Sequence, residues 1–172
     1  ADEVELLVNG KSYGIKKNDK TNPKMRNQIR WENVVYQDGN CEAIARTNGK
    51  VVARHKIVTV GKAVALKAVA DNSDWKADGM DLQHIRIIAV DSKGRRVPNA
   101  VAEVKVNVVG DSQLVAMSNG NINSDELNVT DHQSLFNGSC LAILRSGVAS
   151  SPVVVNISAP GLKAAKLKLA TK

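Results

Sequence analysis

WKADGMDLQHIRIIAVDSKGRRVPNAVAEVKVNVVG, from Trp75 to Gly110, carries the clearest folding signal in the chain. Ile85, Ile87 and Ala89 alternate toward one side. Beyond an Asp91-Ser92-Lys93-Gly94-Arg95 turn, Val104, Val106 and Val108 alternate again, with Glu103, Lys105 and Asn107 between them. A period of two with one apolar set belongs to strands that bury a single face. The pattern predicts a strand pair of an immunoglobulin-like sandwich, which is a scaffold and not a reaction centre. In the first of these strands Ile88 and Val90 fall on the opposite side, and outward apolar residues there predict a contact with another domain.

The same grammar extends in both directions. Asn9-Gly10, Asp38-Gly39, Asn48-Gly49, Lys93-Gly94, Asn119-Gly120, Asn137-Gly138 and Pro160-Gly161 punctuate the chain, and glycine there supplies the positive φ of tight turns. Between them lie β-rich runs at 4–8, 28–34, 41–46, 51–60, 63–70, 84–90, 101–109, 113–117, 140–145, 153–158 and 164–170. No segment shows a sustained helical period with caps. The expectation is an all-β protein of tandem immunoglobulin-like β-sandwiches, residues 1–61 and 62–172, the first of them truncated. A unit as small as 1–61 buries a marginal core. Missing strands would bare a sheet edge, so a homodimer through that edge, or strand exchange, is expected.

Composition narrows the function classes. Aromatic residues are 3% of the 172, so the core must come from Val, Ile, Leu and Ala. No apolar run is long enough to cross a bilayer, and no membrane partner is expected. The net charge is +7, and one cluster stands out: Lys11, Lys16, Lys17, Lys20, Lys24, Arg26 and Arg30 against Asp19 alone. Such a cluster attracts polyanions or forms a solvated hairpin tip. A nucleic-acid partner is not expected, because only Tyr13 lies among these cations to stack on a base. Cys41 and Cys140 both fall within apolar strand patterns and are expected as buried free thiols.

Chemistry is hard to find. Acidic residues gather at Asp71, Asp74, Asp78 and Asp81, and again at Asp125, Glu126 and Asp131, in Asn/Ser/Gly-rich loops where solvated turns and caps account for them. Neither group has the residue order of a calcium loop. His55, His84 and His132 lie far apart, with no second metal ligand at short spacing. No nucleophile elbow, phosphate loop or zinc motif occurs, so no catalytic residue, cofactor or metal is assigned. Sugar-binding modules stack sugar rings on exposed aromatic side chains. Trp31 alternates with Ile29 and reads as core. Trp75 precedes a strand, where it plugs one end of the sandwich or lines a domain junction. Trp75 and Trp31, with Ile88 and Val90, are the candidate sugar or interface contacts.

Two series of residues resemble the C-terminal, non-catalytic region of glycoside hydrolase family 2, the β-galactosidase group. Trp75, Ala77-Asp78-Gly79 and Asp81-Leu82 are similar to the opening W-x-A-D-G-x-D-L of the family's last domain, and DSKGRRVP at 91–98 to its turn. Leu114-Val115, Asn119-Gly120 and Phe136-Asn137-Gly138 follow the same domain's later pattern. VELLVNGKSYG at 4–14, then Trp31, Tyr36, Gly39, Ala43 and Gly49, resemble the accessory domain before it. The resemblance implies a parent enzyme of a type found in gut bacteria, periplasmic or secreted, that cleaves β-galactosides. Its glutamate pair would lie in an upstream barrel that 172 residues are too few to hold. The implied partners are that catalytic barrel and the enzyme's other domains, with a glycan as a further candidate. Two other readings of the sandwiches are a carbohydrate-binding module and an adhesin-like stalk.

Overall fold

The computed structural model describes residues 1–172 and contains twelve strands and no helix. The chain divides into two compact units, Ala1–Thr59 and Val60–Lys172.

In the first unit β1 (Glu3–Val8), β2 (Lys11–Lys17), β3 (Asn40–Thr47) and β4 (Lys50–Val58) form one antiparallel sheet in the order β2-β1-β3-β4. Two hairpins set its register. Val8 pairs with Lys11 around Asn9 (φ 49) and Gly10 (φ 81), and Thr47 pairs with Lys50 around Asn48 (φ 50) and Gly49 (φ 74). Two successive positive φ values make the turn whose twist matches that of the strands. Because β1 lies between β2 and β3, residues 18–39 must cross over it. Val8 and Ile44 are the buried large apolar side chains of this unit, which is a single layer and not a closed sandwich.

The crossover differs from the expected strand at 28–34. Asn33 has φ 60, which an extended strand does not accommodate, and the backbone of 22–28 closes local turns. Met25 and Arg26 donate to the Asn22 carbonyl, and Gln28 donates to that of Met25. Conversely, β2 has little alternation because it is an exposed, lysine-rich edge.

The second unit pairs β5 (Ala65–Ala70), β6 (Leu82–Val90), β7 (Glu103–Val109), β8 (Ser112–Ser118), β9 (His132–Ser134), β10 (Ser139–Ser146), β11 (Pro152–Ala159) and β12 (Leu162–Ala170) in the order β8-β10-β6-β5-β12-β11-β7-β9. One layer is β8-β10-β6-β5 and the other is β12-β11-β7-β9. All pairs are antiparallel except β5 with β12, which meet in parallel at Lys163 and Ala65. A first strand that ends one layer and touches the last strand of the other in parallel gives the immunoglobulin-like sandwich.

Ile85, Ile87 and Ala89 of β6 are fully buried, as are Val104, Ala142, Leu144, Val153 and Val155 from strands of both layers. Each large aliphatic chain removed from water here contributes about 1.5–3 kcal/mol. Val90 does not face outward as expected: it is 6% exposed. It pairs with Ala65 on one side and bridges to Arg96 on the other, so the turn covers it. Ile88 is half-buried between its cross-strand partners Lys67 and Ser139.

Candidate functional site

Trp75 plugs one end of the second sandwich. Its side chain is 1% exposed and its Nε1–H donates to the Asp81 carbonyl at 3.0 Å. The Trp75 carbonyl accepts from Lys172 N–H, and the Lys172 carbonyl accepts from Ala77 N–H, each at 2.9 Å. Asp78 Oδ1 accepts from the amides of Met80 (2.9 Å) and Asp81 (2.7 Å), which holds its carboxyl below the usual aspartate range. Asp81 Oδ2 takes the Lys76 amide at 2.9 Å. Asp71 pairs with Arg86 and Asp74 with Lys172. The first acidic group is thus a set of turn caps and surface ion pairs. Trp75 is a core residue, with no ring face open for a sugar.

Asp91 carries the 91–98 turn. Its buried carboxylate accepts from Arg95 Nη2 (2.7 Å), Arg95 Nε (2.9 Å), and the amides of Lys93 (2.9 Å), Arg95 (3.0 Å) and Gly61 (3.0 Å). The Arg95 guanidinium, then the Gly61, Arg95 and Lys93 amides, hold it far below the ordinary carboxylate range. A carboxylate accepting several such bonds is locked in its charged form. The D-x-x-G-R pattern marks the turn, whereas the bond from the Gly61 amide, thirty residues upstream, has no signature in the local sequence.

Glu126 organises the long loop between β8 and β9. It accepts from the Ser134 amide (2.9 Å), Ser124 Oγ (3.0 Å), Asn119 Nδ2 (3.0 Å) and Gln133 Nε2 (3.1 Å). Ser134 leads the bonds that lower its pKa. The loop's exposed face carries Ile122, Leu127 and Val129. Asp131 is shared between His132 Nδ1 (2.8 Å) and Lys105 Nζ (3.4 Å), and its carboxylate raises the His132 pKa. Cys140 is a buried free thiol whose pKa burial pushes up to about 12, and Cys41 is free and half-buried. No group of three His, Cys, Asp or Glu side chains is placed to hold a metal ion.

Trp31 lies in the first unit, on the crossover and not in a strand. It is half-buried, its Nε1–H reaches the Gly14 carbonyl at 3.3 Å, and Lys16 Nζ stands 5.8 Å from its ring centroid. In the second unit an open depression of about 380 Å³ is lined by polar residues such as Asp111, Ser112, Gln113 and Arg145. It contains no aromatic ring and no pair of carboxylates. The candidates Trp31, Trp75, Ile88 and Val90 therefore do not assemble into one site: Trp31 belongs to one unit and the other three lie apart along the second.

The second unit is an immunoglobulin-like sandwich in which Asp78, Asp81, Asp91 and Glu126 accept hydrogen bonds within turns and loops. The chain belongs to glycoside hydrolase family 2: residues 66–168 match the model described as glycoside hydrolase family 2 C-terminal domain 5. Residues 1–53 match a domain of unknown function, DUF4982. A β-galactosidase of Bacteroides ovatus is 34% identical over 172 residues, all of this chain and 20% of that protein. A putative β-glucuronidase of Formosa agariphila is 32% identical over 147 residues, 85% of the chain and 14% of that protein. A solved family 2 glycosyl hydrolase from Bacteroides cellulosilyticus superposes with a TM-score of 0.92 at 32% identity, covering 99% of this chain and 22% of that one. The chain thus spans between 14% and 22% of these relatives' length.

Proposed function

We propose that the chain is a non-catalytic accessory segment of a family 2 glycosidase, serving domain packing, cleft shaping or oligomer contacts. One observation carries the reading: the matched model is a C-terminal domain of the family, and the whole of this chain aligns with 20% of a β-galactosidase. The fold alone would not carry it, since sandwiches host many functions. The parent polypeptide hydrolyses terminal β-galactoside-type bonds with retention, using two carboxylates about 5 Å apart in its other domains. Its partners are the catalytic barrel and neighbouring domains of the same polypeptide, and it works in the periplasm or outside the cell.

Deletion of this segment from the full-length enzyme tests the role. The expected result is an enzyme that still turns over an aryl β-galactoside but melts at lower temperature or loses its oligomeric state. Hydrolysis by the 172-residue chain alone would overturn the proposal. Proton NMR of the first-formed anomer reads retention, and cell fractionation reads the compartment.

A further inference from the structure

Four Asn-Gly pairs in this chain are chemically alike, Asn9-Gly10, Asn48-Gly49, Asn119-Gly120 and Asn137-Gly138, but the fold restrains them differently. The side-chain carbonyl carbon of an asparagine is an electrophile. The following amide nitrogen reaches it most readily when the next residue is glycine, which has no Cβ to obstruct a close approach. Asn9, Asn48 and Asn137 have φ 49, 50 and 50, followed by glycines at 81, 74 and 69. These three share one turn conformation, so the backbone rotation that attack requires is common to them. What differs is how each side chain and each peptide is held.

Asn9 is held at both ends of its amide. Its Nδ2 donates to the Asp38 carbonyl at 2.9 Å, and its Oδ1 accepts from the Asn40 amide at 2.8 Å. Asn119 donates to Glu126 and to the Ser134 carbonyl, each at 3.0 Å, and accepts from the Asn121 amide at 2.9 Å. Asn137 has a free side chain, but Arg96 Nε donates to its main-chain carbonyl at 3.0 Å. Gly138 is buried, and a Cβ on it would lie 2.0 Å from the Val97 carbonyl oxygen. The peptide that must rotate there is fixed. Asn48 has none of these restraints. It is exposed, and its hydrogen bond is made by its own amide, to Asp2 Oδ2 at 3.1 Å, which leaves the side chain free. No atom lies within 4 Å of where a Cβ would sit on Gly49. The hairpin also leads into β4, which is exposed throughout, so the turn opens at low free energy.

We propose that Asn48 is a site of spontaneous deamidation. The Gly49 nitrogen bonds to Asn48 Cγ, the C–N bond of the side-chain amide breaks, and the nitrogen leaves as ammonia with the Gly49 amide proton. Water then opens the cyclic imide at either carbonyl, giving aspartate or isoaspartate at 48. Either product places a new carboxylate beside Asp2, and isoaspartate also lengthens the turn that sets the Thr47–Lys50 pairing. The test is incubation of the 172-residue chain in mildly alkaline buffer, read by peptide mapping with mass spectrometry, which detects an amide nitrogen exchanged for oxygen at each asparagine. Conversion at Asn48 should run about tenfold or more ahead of the other three sites, the scale set by the hydrogen bonds that each of those must break first. In concentrated urea the four sites should convert at comparable rates, since unfolding removes every restraint and leaves the dipeptide. Asn48→Gly, which keeps the positive φ and removes the electrophile, should abolish the main acidic species on ion exchange. Faster conversion at any of the other three in the folded chain, or none at Asn48, overturns the proposal. The same ranking in urea also overturns it, because the preference would then come from neighbouring sequence and not from the fold.

Discussion

Single side chains here are mostly anchors, and Asp91 is the clearest. Arg95, with the amides of Gly61, Arg95 and Lys93, lowers its pKa from an ordinary value of about 3.9. A carboxyl whose folded pKa is depressed adds stability above the unfolded pKa, and that stability is lost as pH falls through the folded value. The urea midpoint of the wild type should therefore decline steadily below about pH 5. Asp91→Asn should have a lower midpoint at pH 7 and a shallower decline toward acid; a slope equal to the wild type's would remove Asp91 from this role. Some slope will persist, because Glu126 and Asp78 are depressed too. Trp75 is an anchor of another kind. Trp75→Ala should cost about 3–5 kcal/mol in urea denaturation, the range for emptying a large buried aromatic site. A cost below about 1 kcal/mol, the scale of a surface change, would mean that the ring does not plug the sandwich.

At the scale of elements, legibility followed the pattern of burial. β6 and β7 were readable because each buries one face, so period two was written into Ile85-Ile87-Ala89 and Val104-Val106. The Asn-Gly hairpins were readable because their φ values demand those residues. Edges and crossovers were not. β2 is exposed along nearly its whole length, β9 has three residues, and the run 28–34, expected as a strand, lies in the crossover with a positive φ at Asn33. Of the candidate contacts, Trp75 and Val90 proved buried because the chain turns back on each, at Asp81 and Arg96, and because Lys172 and Ala65 pair with them from far along the chain; alternation along a strand records neither closure. β4 is the other edge of the first sheet, with Val52 and Ile57 exposed beside Lys50, Arg54 and Lys56. An open edge invites pairing with a second copy, and lysine and arginine along it resist that. Sedimentation over a concentration series should thus show a monomer at low salt and a dimer that strengthens at high salt, where the repulsion is screened. A monomer under every condition would close this edge as a dimer contact.

For the whole molecule, the two units differ sharply in what they bury. The second has a continuous core drawn from both layers and plugged by Trp75; the first is a single sheet with Val8 and Ile44 buried and a crossover across it. Apolar area removed from water is the dominant favourable term in folding, and a layer that buries little of it opens at low free energy. Hydrogen bonding does not offset the difference, since each bond made on folding replaces one to water and contributes only about 1 kcal/mol net. Amides of β1 and β3 are therefore expected to exchange with deuterium well before those of β6, β10 and β11, although all five strands are paired on both sides. Mass spectrometry of peptides from a timed labelling series reads this directly. Equal protection in the two units of the 172-residue chain would show that the first gains stability from something other than its own core. Faster exchange confined to β1–β4 would identify the first unit as the part of the chain that opens at the lower free energy.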